Sequence, residues 1–191
     1  MSAEAPLVGV LALQGSFAAH IRVLSELGAR TREVRVGADL EGLDGLVLPG
    51  GESTTMTLGI EREGLGAPLR ALAAAGTPML GTCAGLIMLD RKHLRVIDME
   101  ARRNAFGRQI HSFEADLDFA ELEGGPVHAV FIRAPWIAEH GPGVELLAEI
   151  DGHAVAARQG RILVLSFHPE LGGDPRLHAR FLEDVRAARG G

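Results

Sequence analysis

The sequence predicts an α/β fold in which a mostly parallel sheet lies between two layers of helices. In the first half of the chain, short apolar segments typical of β-strands alternate with segments of helical periodicity. These strand segments are apolar on both faces, as in a parallel sheet covered by helices on both sides. From about Arg95 to Phe131 the pattern is strand-like with turn signals, which predicts antiparallel strands at one edge of the sheet.

The first strand and helix illustrate the signals on which these predictions depend. Leu7–Leu13 is an almost continuous apolar run that ends at Gln14, as expected of a buried strand. Ser16 has the side chain of a helix N-cap. The helix is predicted to run from there to about Leu27, because Gly28 then supplies a C-terminal stop.

Similar signals predict the remaining elements. Further strands are expected at Thr31–Val36, Leu46–Leu48, Pro78–Leu80, Val144–Ile150, His153–Ala157 and Ile162–Phe167. Further helices are expected at Leu65–Ala75, Ala84–Leu89 and Pro175–Arg189. The pair Asp151-Gly152 predicts a hairpin between two of the later strands. Because no linker interrupts the pattern, residues 1–191 are predicted to form a single domain.

Composition and charge argue against several classes of protein. Lys and Arg number 19 against 25 Asp and Glu, a net charge of −6, whereas a nucleic-acid-binding protein needs a basic surface. No apolar run is long enough to span a membrane and no secretory signal pattern is visible, so a cytoplasmic location is expected. Neither a metal nor a cofactor is expected, because the ligand spacings of metal sites and the glycine motifs of phosphate and dinucleotide sites are missing.

The residues that directly follow the predicted strands are chemically distinctive. They are Gln14-Gly15, Pro49-Gly50-Gly51-Glu52-Ser53, Gly81-Thr82-Cys83-Ala84-Gly85, Ile132-Arg133-Ala134-Pro135 and His168-Pro169-Glu170. Ligands bind at the carboxyl ends of the strands in such sheets. The sequence therefore predicts a site at this edge, where glycines, the single cysteine, a histidine and a carboxylate converge.

The segment Gly81–Gly85 has the form of a nucleophile elbow in which Cys83 takes the place of serine. A helix that begins at Ala84 directs its N–H groups and positive dipole end toward the sulfur, which favours a thiolate. The Ala84 N–H is also placed to donate to an oxyanion. A buried structural cysteine is the alternative, and the strand before and the helix after Cys83 favour the nucleophile.

A cysteine nucleophile needs a base, and His168 directly follows an apolar strand. Pro169 keeps the backbone of His168 extended. Because residues two apart in an extended segment share a face, Glu170 can lie beside the imidazole and orient it. This predicts a Cys83–His168–Glu170 triad. Most other histidines are expected at the surface, and four of them show no special setting in the sequence, namely His20, His93, His140 and His178.

Two further segments supply candidate binding groups. The adjacent glycines Gly50 and Gly51 allow backbone N–H groups to approach a ligand, as the second half of an oxyanion hole requires. Arg108, with Arg103 as the second choice, can clamp a substrate carboxylate, and Arg133 can do the same. For each arginine, a solvated surface position is an equally good interpretation of the sequence alone.

The elbow and the His168-Pro169-Glu170 segment together resemble the class I (triad) glutamine amidotransferases. Five blocks narrow the resemblance to the glutaminase subunits of pyridoxal 5′-phosphate synthase: Gly9–Gly15, Leu48–Thr55, Arg103–Gln109, Phe131–Pro135 and Ser166–Glu170. They span nearly the whole chain, in order and at compatible spacings. The resemblance implies the three-layer fold of class I amidotransferases. One departure is visible, because the stretch Leu89–Arg102 looks shorter than the connection usual in that family.

The resemblance also implies a reaction. Cys83 would attack the side-chain amide of glutamine, His168 would protonate the departing ammonia, and water would hydrolyse the thioester to glutamate. Residues implied in glutamine binding are Gly51, Glu52, Ser53, Arg108, Ile132 and Arg133. Residues implied around the oxyanion are Gln14, Gly50, Gly51 and Ala84. The ammonia would pass to a separate (β/α)₈ synthase subunit that builds pyridoxal phosphate, and the glutaminase would be weak or silent until docked.

Three alternatives remain open from the sequence. The same glutaminase chemistry can serve another acceptor, as in imidazole glycerol phosphate synthase. A cysteine-bearing α/β redox sensor can use Cys83, although it has no need of the His168-Pro169-Glu170 segment. A non-catalytic binding module is the third, and it needs no nucleophile at all.

Overall fold

The fold is described by a computed structural model for residues 4–103 and 112–190. The strands in these ranges are β1 Leu7–Leu11, β2 Arg30–Val34, β3 Gly45–Leu48, β4 Met79–Thr82, β5 Met99–Arg102, β6 Ser112–Leu117, β7 Val127–Ile132, β8 Trp136–His140, β9 Glu145–Ile150, β10 His153–Gln159 and β11 Ile162–Leu165. The helices are α1 Phe17–Glu26, α2 Ser53–Arg62, α3 Gly66–Ala74, α4 Ala84–Leu89 and α5 Arg176–Arg189, with a short 3-10 helix at Gly37–Leu40. None of these described helices is long and apolar enough to cross a membrane.

The central sheet has a parallel centre extended by antiparallel strands. Its strand order is β2-β1-β3-β4-β11-β10-β8-β5, and β9 also pairs with β10. The five strands from β2 to β11 are mutually parallel, whereas β10, β8, β5 and β9 join them in antiparallel fashion. Strands β6 and β7 form a separate antiparallel hairpin. The predicted α/β fold with antiparallel edge strands is confirmed.

Helices cover both faces of this sheet and create two apolar cores. On one face, α2 and α4 contribute buried side chains such as Met56 and Leu86. On the other face, α1 and α5 contribute Leu24 and Phe181, and the β6–β7 hairpin contributes Phe131. Burying a large apolar side chain contributes about 1.5–3 kcal/mol. Packing on both faces therefore fixes the sheet edge at which the functional residues lie.

Two parallel strands end earlier than their apolar runs predict. Strand β1 is Leu7–Leu11 and strand β11 is Ile162–Leu165, each two residues shorter than expected. The apolar residues beyond them, such as Ala12 and Phe167, are fully buried but lie outside the strands. Burial alone produces the apolar pattern, so it does not mark where pairing stops.

The antiparallel part contains one hairpin that the sequence predicts and one strand that it does not. Asp151 and Gly152 have φ values of 50° and 75°, as a type I′ turn between antiparallel strands requires, so the predicted hairpin is confirmed. Strand β8, Trp136–His140, was not predicted. Its last three residues are exposed, so the strand lacks the alternation of buried and exposed residues that identifies a half-buried strand.

The connection Leu89–Arg102 is organised around a single buried carboxylate. Asp90 is 1% exposed. Its Oδ1 accepts hydrogen bonds from the backbone N–H groups of Lys92 at 2.8 Å and His93 at 3.1 Å. Its Oδ2 accepts one from the Ala101 N–H at 3.2 Å. Because charge-assisted bonds of this kind are strong, Asp90 folds a brief connection back onto β5 without a further element.

Candidate active site

Cys83 lies between β4 and α4, at the centre of a tight strand-to-helix turn. Its φ and ψ angles are 49° and −106°, a conformation that costs free energy for a residue with a side chain. The Cys83 N–H donates to the Leu165 carbonyl at 2.8 Å, which ties the turn to strand β11. A side chain at Gly85 would collide with the carbonyl of Leu48. Glycine at that position therefore allows α4 to start directly behind the cysteine.

His168 lies opposite this turn, just beyond the end of β11. Its backbone N–H donates to the Val130 carbonyl at 2.9 Å. Its Nδ1 lies 2.8 Å from Glu170 Oε1, and Cys83 is among the groups that raise the pKa of its imidazole. Because Nδ1 is occupied by Glu170, Nε2 is the nitrogen left for the sulfur. The three predicted triad residues are thus brought together in the order cysteine, histidine, glutamate.

In His168 and Glu170, hydrogen bonds and nearby charges together affect the pKa more strongly than burial does. Burial disfavours the imidazolium of His168, but the hydrogen bonds to Cys83 and Glu170 raise its pKa to about 10. Burial likewise disfavours the Glu170 carboxylate, yet the hydrogen bond from His168 and the nearby His20 and His168 lower its pKa to about 2. At neutral pH, His168 is therefore protonated and Glu170 is ionised.

Glu170 has further partners that the sequence did not reveal. Ser16 occupies the predicted N-cap position of α1, but its hydroxyl donates to Glu170 Oε1 at 2.6 Å and makes no side-chain cap bond to the helix. His20 Nε2 lies 3.3 Å from Glu170 Oε2, and His178 lies behind His20. Both histidines are fully buried, against the expectation of surface positions. One signal was present, because Ser16 and His20 are four residues apart on one helical face.

A cavity of about 310 Å³ opens beside Cys83 and His168, within the range of small-ligand sites. The predicted site residues in its wall are Gln14, Gly51, Glu52, Ser53, Cys83, Ala84, Ile132, Arg133 and His168, joined by Ile87, Arg103 and Pro135. Gly50 lies against the triad, since a side chain there would collide with the His168 ring and press on Cys83. Arg108 lies outside the described residues.

The turn before α2 is held by Gln14 and Glu52. Gln14 Oε1 accepts a hydrogen bond from the Glu52 N–H at 2.8 Å. The Glu52 carboxylate caps α2, accepting from the N–H groups of Thr54 at 3.0 Å and Thr55 at 2.7 Å. These backbone hydrogen bonds lower the pKa of Glu52 to about 2. The carboxylate is held by these hydrogen bonds to the first turn of α2. Glu52 therefore lines the cavity as part of a turn whose conformation is fixed.

No group of three or more potential metal ligands is found among the residues that the structure describes. The arrangement instead supplies a cysteine sulfur, a protonated imidazole beside it and a carboxylate behind the imidazole. Such a set can perform nucleophilic acyl transfer with a covalent intermediate.

Comparison with known proteins assigns this arrangement to a family. The model of the SNO glutamine amidotransferase family matches residues 10–187. The chain belongs to this family. The resemblance identified in the sequence is thereby confirmed.

Members of the family that share about half of the sequence are described as pyridoxal 5′-phosphate synthase subunit PdxT. One, from Frankia alni, is 50% identical over 195 residues and covers 97% of this chain and 98% of its own length. Another, from Clavibacter sepedonicus, is 52% identical over 195 residues and covers 97% of this chain and 93% of its own. The similarity therefore extends over almost the whole of each protein.

Solved structures agree with this family assignment. One described as a glutamine amidotransferase superposes with a TM-score of 0.88 at 46% identity, covering 94% of this chain and 98% of that one. A chain in the structure of PurLQS from Thermotoga maritima superposes with a TM-score of 0.72 at 16% identity, covering 96% and 97%. The second likeness concerns the fold alone.

One candidate binding residue that the sequence ranked second lies at the cavity. Arg103, the second choice beside Arg108, lies in the cavity wall. Its Nη1 is 3.3 Å from Ser53 Oγ and 3.4 Å from Thr54 Oγ1. The sequence could not rank the two arginines, because they occupy one short block.

Proposed function

We propose that this chain is the glutaminase subunit of pyridoxal 5′-phosphate synthase, hydrolysing L-glutamine to L-glutamate and ammonia. The family and its relatives at about 50% identity support the pathway. The observation that carries the chemistry is the contact series of Cys83, His168 and Glu170 beside a cavity at the carboxyl edge of the sheet. Cys83 is the nucleophile, His168 the proton carrier and Glu170 the group that orients His168.

The reaction begins when the Cys83 thiolate, whose proton is held by His168, attacks the side-chain amide carbon of glutamine. The resulting oxyanion is stabilised by backbone N–H groups at Ala84 and in the Gly50-Gly51 turn, which Gln14 supports. Collapse breaks the C–N bond, and His168 delivers its proton to the leaving nitrogen. Water then attacks the thioester while neutral His168 takes up its proton, and the C–S bond breaks to restore the Cys83 thiolate. One glutamine and one water thus give one glutamate and one ammonia.

Glutamine is held by groups in the cavity wall. Arg103 and Arg133 are the described arginines there, and a guanidinium is suited to bidentate contact with the substrate α-carboxylate. Ser53 and the backbone of Gly51 and Ile132 complete the wall. Arg108, which lies outside the described residues, stays a candidate for the same role.

The released ammonia passes to a separate (β/α)₈ synthase subunit, which incorporates it into pyridoxal 5′-phosphate. No metal or cofactor takes part in the glutaminase step itself. A cytoplasmic location suits this proposal, because a catalytic thiol stays reduced in that compartment.

The test measures glutamate release from glutamine with and without the purified synthase subunit. Activity that appears or rises with the synthase is the expected result. The variant Cys83→Ala should reduce the rate at least about a thousandfold while keeping its fold, because the residual rate relies on binding and oxyanion contacts only. Glutamate release by Cys83→Ala at the rate of the unaltered protein would reject the triad.

The same purified proteins distinguish the proposed function from two alternatives, a different ammonia acceptor and a redox sensor. A rate that rises with the imidazole glycerol phosphate synthase partner, and not with the pyridoxal phosphate one, would reassign the acceptor. A redox sensor would leave Cys83 unlabelled by the glutamine analogue 6-diazo-5-oxo-norleucine. Stoichiometric labelling that glutamine protects against is expected of the glutaminase.

A further inference from the structure

Two buried histidines outside the triad lie behind its carboxylate. His20 of α1 and His178 of α5 are both 0% exposed. His20 Nε2 lies 3.3 Å from Glu170 Oε2 and 3.2 Å from Thr82 Oγ1. His20 Nδ1 lies 2.9 Å from His178 Nε2. A line of polar atoms therefore runs from helix α5, through helix α1, to the carboxylate that contacts His168.

Without the contact from His20, only one of the two carboxylate oxygens of Glu170 has hydrogen-bond donors among the described residues. Oε1 accepts from Ser16 at 2.6 Å and faces His168 Nδ1 at 2.8 Å. Oε2 is buried and makes no well-aligned hydrogen bond within residues 4–103 and 112–190. The His20 Nε2 atom at ion-pair distance is the donor placed to serve it. A buried carboxylate oxygen without such a donor is costly, so the contact with His20 bears directly on the ionised state of Glu170.

The tautomers of the histidines follow from which nitrogens have partners. His178 Nδ1 is buried and unpartnered among the described residues, and a buried N–H without an acceptor is rarer than a buried lone pair without a donor. Nδ1 is therefore the unprotonated nitrogen, and His178 donates from Nε2 to His20 Nδ1. His20 then carries its proton on Nε2, the atom that lies 3.2 Å from the Thr82 hydroxyl and 3.3 Å from Glu170 Oε2.

Burial keeps both imidazoles neutral, which this arrangement requires. Burial lowers the pKa of His20, although the charge of Glu170 opposes the shift. Burial and the nearby His20 lower the pKa of His178 to about 3. The titratable groups facing Glu170 are thus the charged His168 on one side and the neutral His20, backed by His178, on the other.

We propose that His20 is a positioning residue of the glutaminase, donating from Nε2 to Glu170 Oε2, and that His178 fixes the tautomer in which His20 does so. This inference rests on the proposed function, in which Glu170 orients His168. With one donor set on each oxygen, the carboxylate has a single rotamer and stays ionised. Its full charge then faces His168 Nδ1, which keeps His168 protonated and aligned with Cys83.

The experiment uses matched substitutions in the complex with the synthase subunit. In His20→Gln the amide lies near the position of the imidazole Nε2, whereas in His20→Asn it lies near Nδ1. His20→Asn should lower kcat about tenfold with KM changed less than twofold, because one hydrogen bond to a charged group is lost. The alkaline limb of the pH profile of kcat/KM should move to lower pH, since a weaker Glu170 contact lowers the pKa of His168. His20→Gln should recover most of both losses.

A second pair of substitutions tests His178, which contacts His20 and makes no direct contact with Glu170. His178→Leu should reduce kcat about threefold and shift the alkaline limb in the same direction, whereas His178→Gln, which keeps a donor, should recover most of the rate. These variants carry the test if His20→Asn fails to fold. His128→Asn is the control, because His128 also contacts two carboxylates but lies on the exposed hairpin, and its profile should match the unaltered protein.

A purely structural role would give a different pattern. Equal losses in the asparagine and glutamine variants at position 20, with pH limbs unmoved, would overturn the proposal, as would unchanged kinetics in all four variants. Failure of the triad itself is recognised separately, because only then does Cys83→Ala keep its activity. An inactive Cys83→Ala beside a fully active His20→Asn would reject the positioning role and leave the glutaminase intact.

Discussion

In two places an imidazole lies beside carboxylate side chains, once in the protein interior and once at the surface. The nitrogen–oxygen distances are similar in the two groups, but their exposure to water is different. In the buried group, Glu170 Oε1 lies 2.8 Å from His168 Nδ1, with the two side chains 0% and 9% exposed. In the exposed group on the β6–β7 hairpin, His128 lies 3.1 Å from both Glu114 and Asp116, and these side chains are 46%, 63% and 68% exposed.

The difference shows that burial, more than distance, gives such a contact its chemical effect. Water screens the exposed group, so its ion pairs contribute little to stability. In the buried group screening is weak, and each hydrogen bond changes the relative stability of two protonation states. The buried group also draws on α1 and α5 through His20 and His178. Substitutions in the two groups and in the adjoining cavity can break or sharpen this comparison.

The largest effect is expected for Glu170→Gln. A carboxylate accepts hydrogen bonds at both oxygens, whereas an amide accepts at one and donates at the other. Either His168 Nδ1 or His20 Nε2 then faces a donor. We expect kcat to fall about 10²- to 10⁴-fold. Because Glu170 raises the pKa of His168, its loss should also move the alkaline limb of the kcat/KM profile to lower pH.

Steady-state glutamate release over a range of pH measures both effects, and circular dichroism checks that the variant is folded. A folded Glu170→Gln variant with an unaltered pH profile would mean that Glu170 does not govern the protonation of His168. The buried and exposed groups would then be equivalent, and the comparison would fail.

How much of this site a sequence can predict depends on where its parts lie along the chain. Cys83 and Gly85 lie within one turn, and His168 and Glu170 are two residues apart, so local geometry alone connects them. The histidine line joins residues from α1 and α5 that are 158 positions apart. No local pattern relates His20 to His178, and both resemble surface histidines until the helices pack.

The strands likewise include some that a local sequence pattern predicts and one that it does not. The inner parallel strands β1, β3, β4 and β11 were recognised because they are short and apolar, and the errors there concern only their ends. Strand β8 was missed because its exposed residues are stabilised by pairing with β5 and β10, which a single segment does not reveal. Pairing between distant strands depends on the tertiary structure, and the packing of Arg103 beside Ser53 depends on it equally.

A smaller effect, on substrate binding, is expected from the arginines. Arg103→Ala should raise the KM for glutamine about 10- to 100-fold with a lesser change in kcat, because a charge-assisted contact to the substrate carboxylate is lost. Arg108→Ala is the matched substitution, and a KM within about threefold of the unaltered value is expected if Arg103 is the clamp. Initial-rate measurements with the synthase present distinguish the two. A large rise in KM for Arg108→Ala alone would restore the first choice made from the sequence.

The smallest effect is expected for His128→Asn in the exposed group. Hydrogen bonds to Asp116 and Glu114 raise the pKa of His128. The stability that this pairing contributes is therefore fully present below the ordinary histidine pKa and is lost as the pH rises through the raised one. Because water screens these side chains, the melting temperature at mildly acidic pH should fall by about one degree or less, with no difference at alkaline pH. Thermal melts of the two proteins across that pH range give the comparison. A fall of several degrees would show that the exposed hairpin holds its charges as firmly as the buried site, and distance alone would then account for both groups.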